Sequence, residues 1–171
     1  GVSAVRVNYA GLDSGPVIVE GTPNVKIISS IRDAWAVNGV TTSFSQLMGM
    51  PAEQLSNKYL FPAYNNVTLN DQLRISNVDT VQTIVTVTIG GLPRGTYTLY
   101  PPGSPLGVSA VRINYAGLDS GPVVVEGTAG VEIISAIREA WAVNGVTKSF
   151  VQLMGLPSGQ LSTTFLFPAY N

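Results

Sequence analysis

GVSAVRVNYAGLDSGPVIVEG, Gly1 to Gly21, returns as GVSAVRINYAGLDSGPVVVEG at Gly107 to Gly127, and the recurrence runs on to the last residue. Gly1 to Asn65 matches Gly107 to Asn171 without a gap, at about 50 of 65 positions. A period of about 106 residues is the size of a domain, not of a solenoid turn. The chain reads as a window on a tandem array.

Within each copy the pattern is that of strands. Val5, Val7 and Tyr9 alternate with Arg6 and Asn8, AGLDSG makes a polar turn, and Pro16 to Glu20 is extended again. If that loop closes a hairpin, Arg6 faces Glu20 and Arg112 faces Glu126, as structural ion pairs across the strands. Val25 to Val37 satisfies helical spacing as well, through Ile27, Ile28, Ile31, Ala34 and Trp35. Period two fits better, with Val25, Ile27, Ile31, Trp35 and Val37 on one face and Lys26, Ser30, Arg32 and Asn38 on the other. Lys26 becomes Glu132 in the second copy, a charge reversal that costs little on an exposed face. Asn38-Gly39 then precedes Val40 to Leu47, and an Asn-Gly pair between such runs predicts a two-residue hairpin turn with positive φ at both positions. Asp33 and Glu139 fall on the apolar face of this hairpin, against the pattern.

Pro51 starts a short helical turn, and Leu60 to Tyr64 is extended. Asn66 to Leu106 occurs once and predicts three strands: Val67 to Val78, Thr83 to Ile89, and Thr96 to Tyr100 after a turn over Gly90 to Gly95. Pro101 to Pro105 is a corner between strands. The preferred junction is Phe61 to Asn66, which leaves 1–65 as the C-terminal part of one repeat and 66–171 as one complete repeat of about eight strands. The fold class expected is all-β, with tandem antiparallel immunoglobulin-like β-sandwiches. A half-sandwich leaves open edges and bare apolar faces. The missing strands either precede Gly1 or come from a neighbouring chain by strand addition.

Composition narrows function by exclusion. Charged residues are 11%, the net charge is −1, and Lys and Arg stand singly, which argues against nucleic acid and anionic membranes as partners. A surface with so little net charge favours self-association. No apolar run approaches the length of a membrane-spanning helix. The chain opens on Gly1, as expected of a processed chain or a piece of a longer one. With no His and no Cys, the usual general base, the Ser-His-Asp triad, thiol chemistry and zinc sites have no residues to build them. Asp13, Glu20 and Asp33 keep acidic counterparts, yet each also serves as a turn former or ion-pair partner, and GLDSG offers a single carboxylate where calcium wants several oxygens. Neither catalysis nor a cofactor is expected. No lysine is kept between copies, which weighs against a crosslink built into every repeat.

Trp35 and Phe44 are expected in the core. Phe61, Tyr64 and Asn65, with the second-copy Phe167 and Tyr170, are the candidates for contacts between repeats. Asn66-Val67-Thr68 is a glycosylation sequon, meaningful only on a secreted or surface chain, and as frequent by chance.

FPAYNNVTLNDQLRISN, VTVTIGG, NYAGLDSGPVVVEG and FVQLMGLPSGQL resemble segments of the tandem β-sandwich repeats of very large secreted or cell-surface proteins of bacteria. The resemblance spans the chain and implies an extracellular filament, stalk or surface layer whose partners are further copies of itself. It brings no catalytic residues. The rival expectation is an adhesin-type module that binds glycan or another cell through its loops. Between copies, AGLDSG is invariant and differences gather at Pro23-Asn24, Ala52-Glu53 and Asn57 to Tyr59, the pattern of one variable edge.

Overall fold

A computed structural model of the chain describes residues 4–144 and 146–168. Among these residues the structure is all-β, with antiparallel pairing throughout and helix limited to two short 3-10 turns. The strands are β1 (Ser30–Val37), β2 (Val40–Met48), β3 (Lys58–Phe61), β4 (Tyr64–Asn65), β5 (Asn70–Asn77), β6 (Thr83–Ile89) and β7 (Leu92–Leu99). They continue with β8 (Ala110–Ile113), β9 (Asp119–Ser120), β10 (Val123–Glu126), β11 (Ile133–Val143), β12 (Val146–Met154) and β13 (Leu156–Pro157).

Two sheets carry the core. One has the order β13-β3-β10-β6-β7 and the other β12-β11-β5-β8. Alternate residues of both point into one cluster: Tyr59, Phe61, Val85, Val87, Ile89, Val123 and Val125 from the first, and Leu73, Ile75, Ile113, Ile133 and Ile137 from the second. This sandwich-like packing follows from period-two strands that each bury one face. β4 and β9 form a two-stranded ribbon, and β1 and β2 a separate hairpin.

The hairpins form as the Asn-Gly signal predicts. Asn38 and Gly39 have φ of 52° and 79°, and Asn144 again has 52°. Registers are the same in the two copies: Ser30 opposes Met48 and Ala136 opposes Met154, each ladder broken by a bulge just after Trp35 or Trp141. Pro51 precedes a 3-10 turn at Ala52–Gln54, matched by Ser158–Gln160.

Several expectations are corrected. β3 pairs with β10 in the register Val123 to Phe61, and with β13, so the larger sheet crosses the expected cut between 65 and 66. Its strands run from Lys58 to Pro157, out of phase with the sequence repeat. AGLDSG does not close a hairpin in the second copy: β8 pairs with β5 in the smaller sheet, and β10 lies between β3 and β6 in the larger. In the first copy no strand forms before Ser30 among the described residues. The turn after β6 is only Gly90-Gly91, with φ of 61° and 77°, and Leu92 to Gly95 are strand. The expected strand from Val67 starts at Asn70, because the Asn65 Oδ1 accepts the backbone N–H groups of Val67 and Thr68, at 3.0 Å each, and holds them in a turn. Trp35 and Phe44 are exposed rather than core, and Trp141 is exposed too, while Phe150, the counterpart of Phe44, is buried. For Trp141 the reason is geometric: β5 pairs with β11 only as far as Ala140, and the hairpin overhangs beyond it.

Candidate interface between repeats

The residues expected to join repeats fall at two places with opposite environments. Phe61 and Tyr64 are buried in the core, on β3 and β4, paired with β10 and β9, which lie more than 50 residues further along the chain. They link the two sequence copies as internal residues of one packed body, not as a contact between separate bodies. Tyr64 is the hub of a corner. Its hydroxyl donates to the Asp71 carbonyl at 2.9 Å and accepts the Tyr115 N–H at 2.8 Å, and its ring meets Tyr115 edge-on at 5.8 Å. The Asn65 N–H donates to Asp71 Oδ2 at 2.7 Å, while Asp71 Oδ1 is buried without a partner among the described residues. Burial pushes the Asp71 carboxyl up to about 6, and the nearby charges of Glu139 and Asp119 add to the shift, against the Asn65 N–H that favours the ionised form. Asn66 is half-buried, and its amide nitrogen, the atom a glycan would occupy, donates to the Asp71 carbonyl at 3.2 Å. Phe167 is exposed, and Tyr170 lies outside the described residues.

The expected ion pairs are replaced by others. Arg112 forms a two-pronged pair with Asp13 of the first copy, one prong at 2.9 Å, which holds the Asp13 carboxyl below its ordinary value. Glu126 pairs with Lys58 at 3.0 Å, its direct cross-strand neighbour. Since β8 and β10 belong to different sheets, Arg112 and Glu126 do not face one another. Arg6 and Glu20 are exposed, and no ion pair joins them among the described residues.

The part of the first copy before β3 lies against the smaller sheet. Asp13 reaches Arg112, the Gly15 carbonyl accepts from Ser109 Oγ at 2.9 Å, and Asp33 Oδ2 sits 3.3 Å from Gln152 Nε2 and 4.0 Å from Arg74. Ser45 Oγ accepts the Gln152 N–H at 2.9 Å. The acidic Asp33, which breaks the apolar pattern of its hairpin, thus faces a half-buried arginine. Burial and the neighbouring Arg112 lower the ordinary value of Arg74 itself, and Asp33 acts against that. These are polar contacts, and they leave the apolar side chains of the segment before β1 uncovered.

The contrast between equivalent residues is sharp. Val125 and Ile133 are 0% exposed, while their first-copy counterparts Val19 and Ile27 are 56% and 52% exposed. At the far end, Phe61 is 4% exposed and its counterpart Phe167 is 83%. In each case the chemistry is conserved and the neighbouring strands are lacking. The sequence carried this signal in the phase of the repeat, but only the pairing of β3 with β10 reveals which strand belongs where.

Some of the copy-variable positions, Glu53, Asn57 and Gly130 among them, converge beside an invariant pair. Gln160 Nε2 donates to its own counterpart, Gln54 Oε1, at 3.2 Å. Beside it lie two open depressions of about 280 and 320 Å³, the first lined by Leu55 to Asn57 and Gly130 to Glu132, the second by Glu53 to Ser56 and the 3-10 turn after Pro157. Among the described residues no three acidic side chains cluster as metal ligands, and no helix is long and apolar enough to cross a membrane.

No family model and no curated relative matches the sequence. The crystal structure of Thermotoga maritima 1070 aligns with a TM-score of 0.47 at 11% identity, over 60% of this chain and 95% of that one.

Proposed function

We propose that this chain is part of an extracellular filament, stalk or surface layer, built from tandem immunoglobulin-like sandwiches with a period of about 106 residues. The observation that carries the reading is the paired contrast just described: one copy buries the apolar residues that the other leaves bare. Burying a Val or Ile side chain is worth roughly 1.5–3 kcal/mol, so an array that lets each unit take its missing strand from its neighbour is favoured over isolated units. The low net charge adds little repulsion between copies. Electron microscopy of the native material tests the reading. Ordered fibres or sheets with an axial spacing of one sandwich, or a small multiple, are expected; flexible beads without end-to-end or lateral order would overturn it.

A second reading, an adhesin-type module, is favoured by one observation. The positions that vary between copies, Glu53, Asn57 and Gly130 among them, gather around the two depressions beside Gln54 and Gln160. Binding to a glycan array, lost when Glu53 and Asn57 are replaced by Ala, would support this reading over the first.

A further inference from the structure

We propose that Thr164–Phe167 of one chain adds as a strand to Val17–Glu20 of a second copy, in the register Val17 to Phe167, Ile18 to Leu166, Val19 to Phe165 and Glu20 to Thr164. The proposal rests on the assembly reading above and names its contact. The template is internal to the molecule. Val123 to Glu126 and Lys58 to Phe61 pair antiparallel, Val123 opposite Phe61 and Glu126 opposite Lys58. Each partner has a counterpart 106 residues away that no strand pairs with among the described residues: PVIVEG repeats PVVVEG, and FLFPAYN repeats YLFPAYN.

Both counterparts are bare. Val17, Ile18 and Val19 are each more than half exposed, as are Phe165, Leu166 and Phe167, with Leu166 at 90%. In the template the inward pair Val125 and Tyr59 is fully buried. Neither segment is paired in a sheet here, and extended apolar segments of this kind pair by strand addition, where backbone hydrogen bonds supply affinity and alternate side chains seat in the core. A one-residue slip turns Phe165 and Phe167 outward and leaves only Leu166 facing inward, so the two large rings favour this register. The template and the proposed contact differ at one place that matters. Lys58 is replaced by Thr164, so the docked strand lacks the ion pair that Glu126 makes at 3.0 Å, and Glu20 is left without it.

The chain has no cysteine, so introduced thiols report on the contact alone. Directly opposed residues in an antiparallel pair have Cα atoms about 4.5–5.5 Å apart, within disulfide reach. Full chains carrying Ile18→Cys and full chains carrying Leu166→Cys are mixed and oxidised. A covalent heterodimer is expected, at a yield that rises with concentration and stands several-fold above the yield from Ile18→Cys with Ser162→Cys, four residues out of register. Thr164→Lys is expected to raise association by up to about fivefold, the effect of one exposed ion pair. Phe167→Asp, at a side chain already in solvent whose counterpart Phe61 is buried in the template, is expected to abolish it while leaving the unfolding transition of the dilute chain unchanged. Equal yields from the two cysteine mixtures, no heterodimer, or a disulfide that forms only when both cysteines share one chain and at a rate independent of concentration would each overturn the proposal. Fibres seen in the microscope without the heterodimer would overturn this pairing and leave the assembly reading standing. Beads without order would remove that reading instead.

Discussion

Val17 to Ile31 and Val123 to Ile137 are almost the same peptide in two surroundings. The second forms β10 and the first part of β11, with Val123, Val125, Ile133 and Ile137 buried in a two-sheet core. The first forms no strand until Ser30. Local propensity is therefore close to constant across the comparison, and what changes is the presence of β3, β5 and β6 on either side. Strand structure in this protein is a property of the sheet, in keeping with the strong context dependence of β propensity. The hairpin β1–β2 marks the limit of that rule. Its Asn-Gly turn supplies enough local information to fix register without a third strand.

The widest gap between the copies is expected in core truncations. Ile133→Ala should cost about 2–5 kcal/mol in a denaturant titration, whereas Ile27→Ala should stay within about 0.5 kcal/mol. Similar costs at both positions would break the comparison. Glycine gives the next contrast. A Cβ on Gly121 would run into the Pro62 carbonyl and the Ala63 backbone, where nothing can yield, whereas on Gly15 it would meet Ser76 and Ala110 side chains at ordinary distances. Gly121→Ala should therefore destabilise by about 1–3 kcal/mol and Gly15→Ala by far less, as read from unfolding midpoints.

The third prediction concerns pH. The Asp71 carboxyl is raised to about 6 in the folded chain from an ordinary 3.8, so the folded state holds its proton more tightly than the unfolded one. That contribution is fully present below 3.8 and is lost as pH rises through about 6. Unfolding midpoints measured between pH 4 and 7 should show the fall, and Asp71→Asn should remove it. Glu139→Gln should shrink it, because Glu139 is one of the charges that raise Asp71, while its first-copy counterpart Asp33→Asn should leave the inflection in place. The smallest effect is expected at the edge of the larger sheet. Glu126→Gln removes an exposed pair with Lys58 and should cost at most about 1 kcal/mol. Glu20→Gln should cost nothing measurable in the dilute chain, and a loss there would show that the first copy is more ordered than described.

Much of the fold was legible because short-range signals settled it: period-two alternation, Asn38-Gly39, Gly90-Gly91 and Pro51 all act within a few residues. The readings that failed were those in which identity of sequence stood in for identity of surroundings. Phe61-Pro62-Ala63-Tyr64 has the Pro and aromatic composition of a junction, yet its role is set by β10, distant in sequence, and by Asp71, seven residues on. The Arg112 to Glu126 pairing assumed that AGLDSG closes a hairpin, whereas the loop carries the chain from one sheet to the other, and no local pattern distinguishes the two. Trp141 carries the bulk of a core residue, and its exposure follows from where β5 stops. The bare apolar segments at Val17 to Glu20 and at Phe165 to Phe167 were implied by the repeat. Their complementarity emerges only once the register of β3 on β10 is known.

Hydrogen–deuterium exchange, resolved by peptide on the dilute monomeric chain, tests the central claim most directly, because it reads the two copies in one molecule. Backbone amides of Val123 to Glu126 and Ile133 to Ala140 should exchange slowly, near the limit set by global unfolding, while those of Val17 to Glu20 and Ile27 to Ser29 should exchange at close to unprotected rates. Equal protection of the two copies would contradict the account, since it would mean that the first copy completes its sheets without the strands it lacks here.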